Sequence, residues 1–144
     1  GLGGDVARAD EGEVGVFEVT LTPDGENSAL MSGIPASQKV MQWHHAEVKR
    51  VPQSGRVLAQ SARTGVQALA IDNHALSTQF HCEFSPQTVA SWSSLPLYIE
   101  SLEKLNGPGA YDRLLRESYP LMPAMRKTTH QMWNNFKKAS GLVK

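Results

Sequence analysis

The hydrophobic period of this 144-residue chain changes at Ser85-Pro86. Before that point, apolar residues alternate with polar ones in short runs, which is the two-residue period of β-strands. After it, apolar residues recur every three or four positions, which is the period of amphipathic helices. Strands followed by helices, with no helix between the strands, indicate by their order alone an α+β arrangement.

Five segments have the composition of strands. In the first, over residues 13–22, β-branched and aromatic residues nearly alternate with polar ones, and the turn sequence PDG follows at 23–25. The other predicted strands are residues 39–43, 57–61, 66–71 and 75–80. Residues 44–47 (HHAE) are polar, and we expect a loop there.

The second half of the chain carries helix signals. Ser85 followed by Pro86 is typical of an N-cap and a first helical position. Apolar stripes then predict helices up to the breaker at 106–109 (NGPG) and again beyond it, with a last helix starting near Pro123. Its predicted core-facing residues, which could also contact another subunit, are Met125, Met132, Trp133, Phe136 and Ala139.

Composition excludes several kinds of partner and location. Lys plus Arg and Asp plus Glu both number 14, so no net charge attracts nucleic acid or an anionic membrane. No apolar run approaches the roughly 20 residues that span a bilayer, and the first residues lack the features of a signal peptide. The single Cys82 cannot form an intramolecular disulfide. We therefore expect a cytoplasmic protein.

Residues 79–84 (QFHCEF) carry the strongest chemical signal. His81 and Glu83 are two positions apart at the end of a predicted strand, so their side chains point the same way. The carboxylate can then orient the imidazole as a general base, which is half of a catalytic triad that still needs a thiol or hydroxyl. Cys82 points away from both neighbours, and we expect a buried, inert thiol.

The sequence of residues 79–83 (QFHCE) resembles the Q-[FY]-H-P-E signature of class I glutamine amidotransferases, with Cys82 in place of the family's proline. Further similar segments occur in the family's order: residues 2–4 (LGG), 14–17 (VGVF), 41–48 (MQWHHAEV), 51–61 (VPQSGRVLAQS) and 66–69 (VQAL). The resemblance implies an α/β, flavodoxin-like fold. It implies an amidotransferase domain over residues 1–92 and a helical tail over 93–144 that packs on it.

The resemblance also implies an activity, which is hydrolysis of the glutamine side-chain amide by a Cys-His-Glu triad. His81 and Glu83 are the implied catalytic residues, and Trp43 and His44 the implied substrate-binding residues. In the family, the cysteine turn lies just upstream of the LGG segment. We therefore expect this chain to be incomplete at its N-terminus, to lack the nucleophile and to be inactive alone. No cofactor is implied.

Other interpretations remain open at this point. The chain could be a non-catalytic relative that serves as a structural or regulatory partner, or a related γ-glutamyl hydrolase. A zinc site built from the nearby histidines, Cys82 and Glu83 is not expected, because CxxC and HExxH spacings are missing. The expected partners are glutamine and a separate synthase subunit. An incomplete sheet also exposes an edge, which favours a homodimer or a strand-exchanged oligomer.

Overall fold

The computed structural model describes residues 2–143, without the side chains of Ala90 and Ser93. Its sheet has five strands in the order β2-β1-β3-β4-β5, and the neighbouring strands are antiparallel. The strands are β1 (Asp5–Leu21), β2 (Ser37–Arg50), β3 (Gly55–Gln60), β4 (Ala68–Ile71) and β5 (Ala75–Thr78). All five predicted strands are therefore present, although their lengths differ from the prediction.

The first two strands are much longer than predicted. They pair from Asp5 opposite Arg50 to Thr20 opposite Ser37, with register shifts between Asp5 and Val6 and between Arg8 and Glu13. The loop predicted for residues 44–47 is wrong, because these residues belong to β2. Of their partners on β1, Ala7 and Arg8 are exposed and Glu13 is buried, so pairing between the two strands decides the structure there, without the hydrophobic alternation that strand prediction relies on.

A short helical connection separates β1 from β2, so the prediction that no helix lies between strands is also wrong. Helix α1 (Pro23–Glu26) is capped by Thr22, whose hydroxyl accepts a hydrogen bond from the Gly25 amide at 3.0 Å. A 3₁₀ turn (Ala29–Met31) follows. A Cβ atom at Gly25 would lie 1.9 Å from the Leu58 carbonyl oxygen, so glycine is needed where this helix crosses β3.

The helical half contains α2 (Pro86–Ser93), α3 (Pro96–Asn106), α4 (Ala110–Ser118), a 3₁₀ turn (Tyr119–Leu121) and α5 (Met122–Ala139). The predicted cap is present, because the Ser85 hydroxyl accepts from the Thr88 amide at 3.2 Å. None of the helices within residues 2–143 combines the length and apolar character needed to cross a bilayer.

A single hydrophobic cluster joins the sheet to the helices. Met125 of α5 is buried in it together with Val40 and Met41 of β2. Trp133 departs from the predicted core face, because 55% of its surface is exposed. The fold thus packs one helical layer against a curled antiparallel sheet.

Candidate active site

His81 lies beyond the end of β5 and is held by β2. Its amide donates to the Met41 carbonyl oxygen at 2.8 Å, and the Met41 amide donates back to the His81 carbonyl at 3.3 Å. This isolated antiparallel bridge fixes the backbone two residues before Glu83. The position of His81 therefore depends on β2 as well as on the strand that precedes it.

The predicted contact between His81 and Glu83 is present. Nδ1 of His81 lies 2.6 Å from Oε1 of Glu83, and the two side chains are 41% and 64% exposed. An ionised carboxylate only accepts hydrogen bonds, so Nδ1 carries the proton in this contact. Nε2 is then the ring atom that can take a proton from a nucleophile or a water molecule.

Cys82 points into the core between these two exposed residues. It is 2% exposed and belongs to the hydrophobic cluster. Burial raises the pKa of the Cys82 thiol to about 12, with a further contribution from the charge of Glu83. The thiolate is the nucleophilic form of cysteine, so at neutral pH this side chain is the buried, inert thiol that was predicted.

Trp43 lies on the His81 face of β2. Residues paired across antiparallel strands project to one face, as do residues two apart in a strand, so Met41, Trp43 and His81 share a face. The Trp43 ring packs edge to face on Trp92 at 4.5 Å between centroids and lies 5.8 Å from Tyr98. An aromatic cluster thereby connects β2 to α2 and α3.

His44 has a different environment. Strand alternation turns its side chain to the opposite face, and only 9% of that side chain is exposed. Its Nε2 lies 3.2 Å from Oε2 of Glu13, and its Nδ1 lies 3.1 Å from the Ala46 carbonyl oxygen. The structure therefore does not bring the two residues predicted to bind substrate onto one face.

Glu13 is a buried acid that sequence reasoning missed. It is 1% exposed, and it accepts hydrogen bonds from the Ser61 hydroxyl at 2.8 Å and from Nε2 of Gln67 at 2.6 Å. Its position in the strand was the available signal. Glu13 and Val19 are six residues apart, so their side chains project to the same face of the strand, and Val19 is buried. A lone acid in a strand matches no catalytic motif, so this signal went unused.

A cavity of about 630 Å³ opens beside Glu83, between residues 82–87 and helix α5. Its volume is within the range of small-molecule sites. Arg126, Thr129 and His130 line it from α5. Within residues 2–143, no group of three His, Cys, Asp or Glu side chains is arranged to hold a metal ion.

Comparison with protein families decides the assignment. Residues 1–91 match the family model "Glutamine amidotransferase class-I". The chain belongs to the class I glutamine amidotransferase family. The matched region includes His81, Glu83 and the β2 strand to which His81 is bridged, so the site described above lies within the amidotransferase part of the chain.

Two kinds of protein are among the relatives of this amidotransferase chain. It is 35% identical over 83 residues to a glutamine-hydrolyzing GMP synthase subunit of Sulfolobus acidocaldarius, covering 57% of this chain and 43% of the relative. It is 32% identical over 88 residues to gamma-glutamyl peptidase 5 of Arabidopsis thaliana, covering 59% and 35%. The chain therefore spans less than half the length of these two relatives.

Solved structures share the fold. A glutamine amidotransferase from Thermotoga maritima matches with a TM-score of 0.79 and 22% identity, over 94% of this chain and 55% of that one. A glutamine amidotransferase from Methylobacillus flagellatus matches with a TM-score of 0.75 and 17% identity, over 96% and 57%. These matches confirm the predicted α/β glutamine amidotransferase fold, and they extend through the helical C-terminal segment.

Proposed function

We propose that the whole protein hydrolyses the side-chain amide of glutamine and passes the ammonia to an acceptor, with His81 and Glu83 as two members of a Cys-His-Glu triad. The observation that carries this proposal is the 2.6 Å contact between Nδ1 of His81 and Oε1 of Glu83. That contact leaves Nε2 to act as the base. Family membership over residues 1–91 supports the same chemistry.

The nucleophile in this proposal is a cysteine upstream of Gly1, because the Cys82 thiol is buried and protonated. Nε2 of His81 takes the proton from that thiol, and the thiolate sulfur attacks the amide carbon of glutamine. The carbon–nitrogen bond then breaks as the imidazolium returns a proton to the departing ammonia. Water hydrolyses the thioester to release glutamate, while Glu83 stabilises the imidazolium at each stage.

The remaining assignments are also part of the proposal. Residues 1–92 form the amidotransferase domain and 93–144 a helical tail on it, in a cytoplasmic protein. Trp43 contributes to the glutamine pocket from the face that carries His81, and His44 supports that pocket from the opposite side of β2. The similarity to a protein named as part of a GMP synthase supports a separate synthase as the partner that receives the ammonia.

A second candidate function is hydrolysis of γ-glutamyl peptides. It is favoured by the 32% identity to a gamma-glutamyl peptidase, which is close to the identity with the GMP synthase relative. Both reactions cleave a bond at the δ-carbonyl of a glutamyl group, so the same His81 and Glu83 serve either one. The two candidates differ in the group that leaves.

One assay separates the candidates. The extended protein, meaning this chain continued upstream of Gly1 by its natural coding sequence, is given glutamine and γ-glutamyl dipeptides at equal concentration. The proposal predicts a higher kcat/KM for glutamine. A higher kcat/KM for the dipeptides supports the peptidase, and an upstream sequence without a cysteine supports a non-catalytic relative.

A further inference from the structure

The carboxylate of Glu13 joins four segments of the sheet. Glu13 is on β1, His44 is on β2, Ser61 follows β3 and Gln67 precedes β4. The three partner side chains lie 3.2, 2.8 and 2.6 Å from the carboxylate oxygens. Burying a carboxylate costs free energy unless it is paired and hydrogen-bonded. The folded state therefore favours an arrangement in which all three partner side chains stay within reach of Glu13.

Both ring nitrogens of His44 face hydrogen-bond acceptors. Nε2 faces the Glu13 carboxylate, and Nδ1 faces the Ala46 carbonyl oxygen. A carboxylate only accepts hydrogen bonds, so Nε2 is the donor in the contact with Glu13. The contact between Glu13 and His44 is a hydrogen bond to a carboxylate in a site that is almost closed to water.

This contact lies at one of the two places where the pairing of β1 and β2 changes register. The shift occurs between Arg8 and Glu13, and regular pairing resumes with Glu13 opposite His44. From there it continues without a shift to Val16 opposite Met41, whose backbone holds His81. A slip of one residue in a strand turns every side chain to the other face. Such a slip would move Trp43 away from the face of His81.

We propose that Glu13 is a positioning residue of the amidotransferase site. Through His44 it fixes the register of β2 against β1, so that Met41 bridges His81 and Trp43 stays on the same face. Its effect on turnover rests on the proposed function, whereas its effect on the β2–His81 bridge does not. The two parts are therefore tested by separate measurements.

The first measurement uses this chain alone and needs no activity. Amide hydrogen exchange of His81 is compared with that of the β4 amides in wild type, Glu13→Gln and Glu18→Gln. Glu18 is an exposed acid on the same strand, and glutamine keeps an oxygen that can accept from the Ser37 hydroxyl of β2 as Glu18 does. Its replacement therefore removes the same charge without disturbing the buried contacts. We expect Glu13→Gln to lower the protection of the His81 amide about ten-fold relative to β4, and Glu18→Gln to leave the ratio unchanged.

A second pair of variants covers the case in which Glu13→Gln does not fold. His44→Gln keeps an N–H donor near the position of Nε2, whereas His44→Leu does not. We expect the first to retain the His81 protection ratio and the second to lower it. Equal ratios in these two variants, or an unchanged ratio in a folded Glu13→Gln chain, overturn the proposal.

The kinetic measurement uses the extended protein. Displacement of His81 lowers kcat, so we expect Glu13→Gln to reduce kcat about ten-fold or more with a smaller change in KM, and the control Glu18→Gln to keep the wild-type kcat. Because loss of stability alone lowers only the amount of folded enzyme, kcat is expressed per folded molecule. The pH profile of kcat is expected to change in Glu13→Gln, where His81 is displaced, and to stay as in wild type in Glu18→Gln. An extended wild-type protein without glutaminase activity contradicts the proposed function, while the exchange result for Glu13 still stands by itself.

Discussion

Nδ1 of His81 lies 2.6 Å from Oε1 of Glu83, in a pair that is largely open to solvent and held to β2 through Met41. Ion pairs in such exposed positions contribute little to stability, because water screens them and the side chains lose freedom. The pair is thus suited to chemistry more than to holding the fold.

This exposure predicts that the pair can be removed without unfolding the chain. We expect His81→Ala and Glu83→Gln to change the free energy of unfolding by less than about 1 kcal/mol, measured by urea denaturation. Glu13→Ala is the contrasting variant, since it takes a buried acid from three hydrogen-bond donors and is expected to cost about 2 kcal/mol or more. Equal losses from the exposed pair and from Glu13 contradict this interpretation of the site.

We expect the buried Cys82 thiol to make the free energy of unfolding depend on pH in the alkaline range. Burial raises its thiol pKa to about 12, from an ordinary value of 9.0. As pH rises, the unfolded chain loses this proton first, so the Cys82 contribution is fully present below about pH 9 and is lost between about pH 9 and 12. The expected slope is at most about 1.4 kcal/mol per pH unit.

The matched variant for that prediction is Cys82→Ala, which removes the thiol. Unfolding free energies of both proteins are measured in urea at several values between about pH 8 and 11, which spans the onset of thiol ionisation in the unfolded chain. We expect the stability advantage of wild type to shrink as pH rises. Two curves that stay parallel over this range mean that the Cys82 thiol does not titrate as its burial requires.

Replacing Gln42 by an apolar residue of similar size is expected to stabilise the chain. It is fully buried, and within residues 2–143 neither polar atom of its side chain has a hydrogen-bond partner. Gln42→Met removes the cost of burying an unpaired amide at nearly constant volume, so we expect a gain of about 1 kcal/mol, visible as a higher Tm. Gln67→Met is the control with the opposite sign, because Nε2 of Gln67 donates to Glu13.

The exposed edge of strand β5 is expected to make the isolated chain self-associate. It has four residues and lies at one edge of the sheet, beside an apolar cleft lined by Leu76 and the exposed Trp133. Unpaired edge strands next to apolar surface tend to pair with another chain. We expect sedimentation velocity to show dimers or larger species that Trp133→Lys reduces, whereas a compact monomer at all concentrations contradicts the prediction.

The sequence allowed the elements to be predicted where the signal is local. The five strands and the helix cap at Ser85 follow from alternation and from side chains a few residues apart. The ends of β1 and β2 do not, because residues 5–12 and 44–50 become strands only by pairing with each other. The turn of helix between these strands was missed because its four residues are too few to show a helical period.

The same distinction applies to the site. The contact of His81 with Glu83 could be predicted because residues two apart in an extended segment point the same way. The contact of His44 with Glu13 could not, since it joins residues 31 positions apart and depends on the register of two strands. The bridge between His81 and Met41 is equally a product of tertiary structure.

The proposed function requires His81 as the base in glutamine hydrolysis and Glu83 as the carboxylate that orients it. A glutaminase assay tests this requirement on the extended protein, its His81→Ala and Glu83→Gln variants, and the 144-residue chain alone. We predict turnover by the extended wild type and no turnover by the short chain. We expect His81→Ala to lower the rate about 10³-fold or more, and Glu83→Gln to lower it less. Turnover by the short chain, or wild-type rates in His81→Ala, contradicts the assignment.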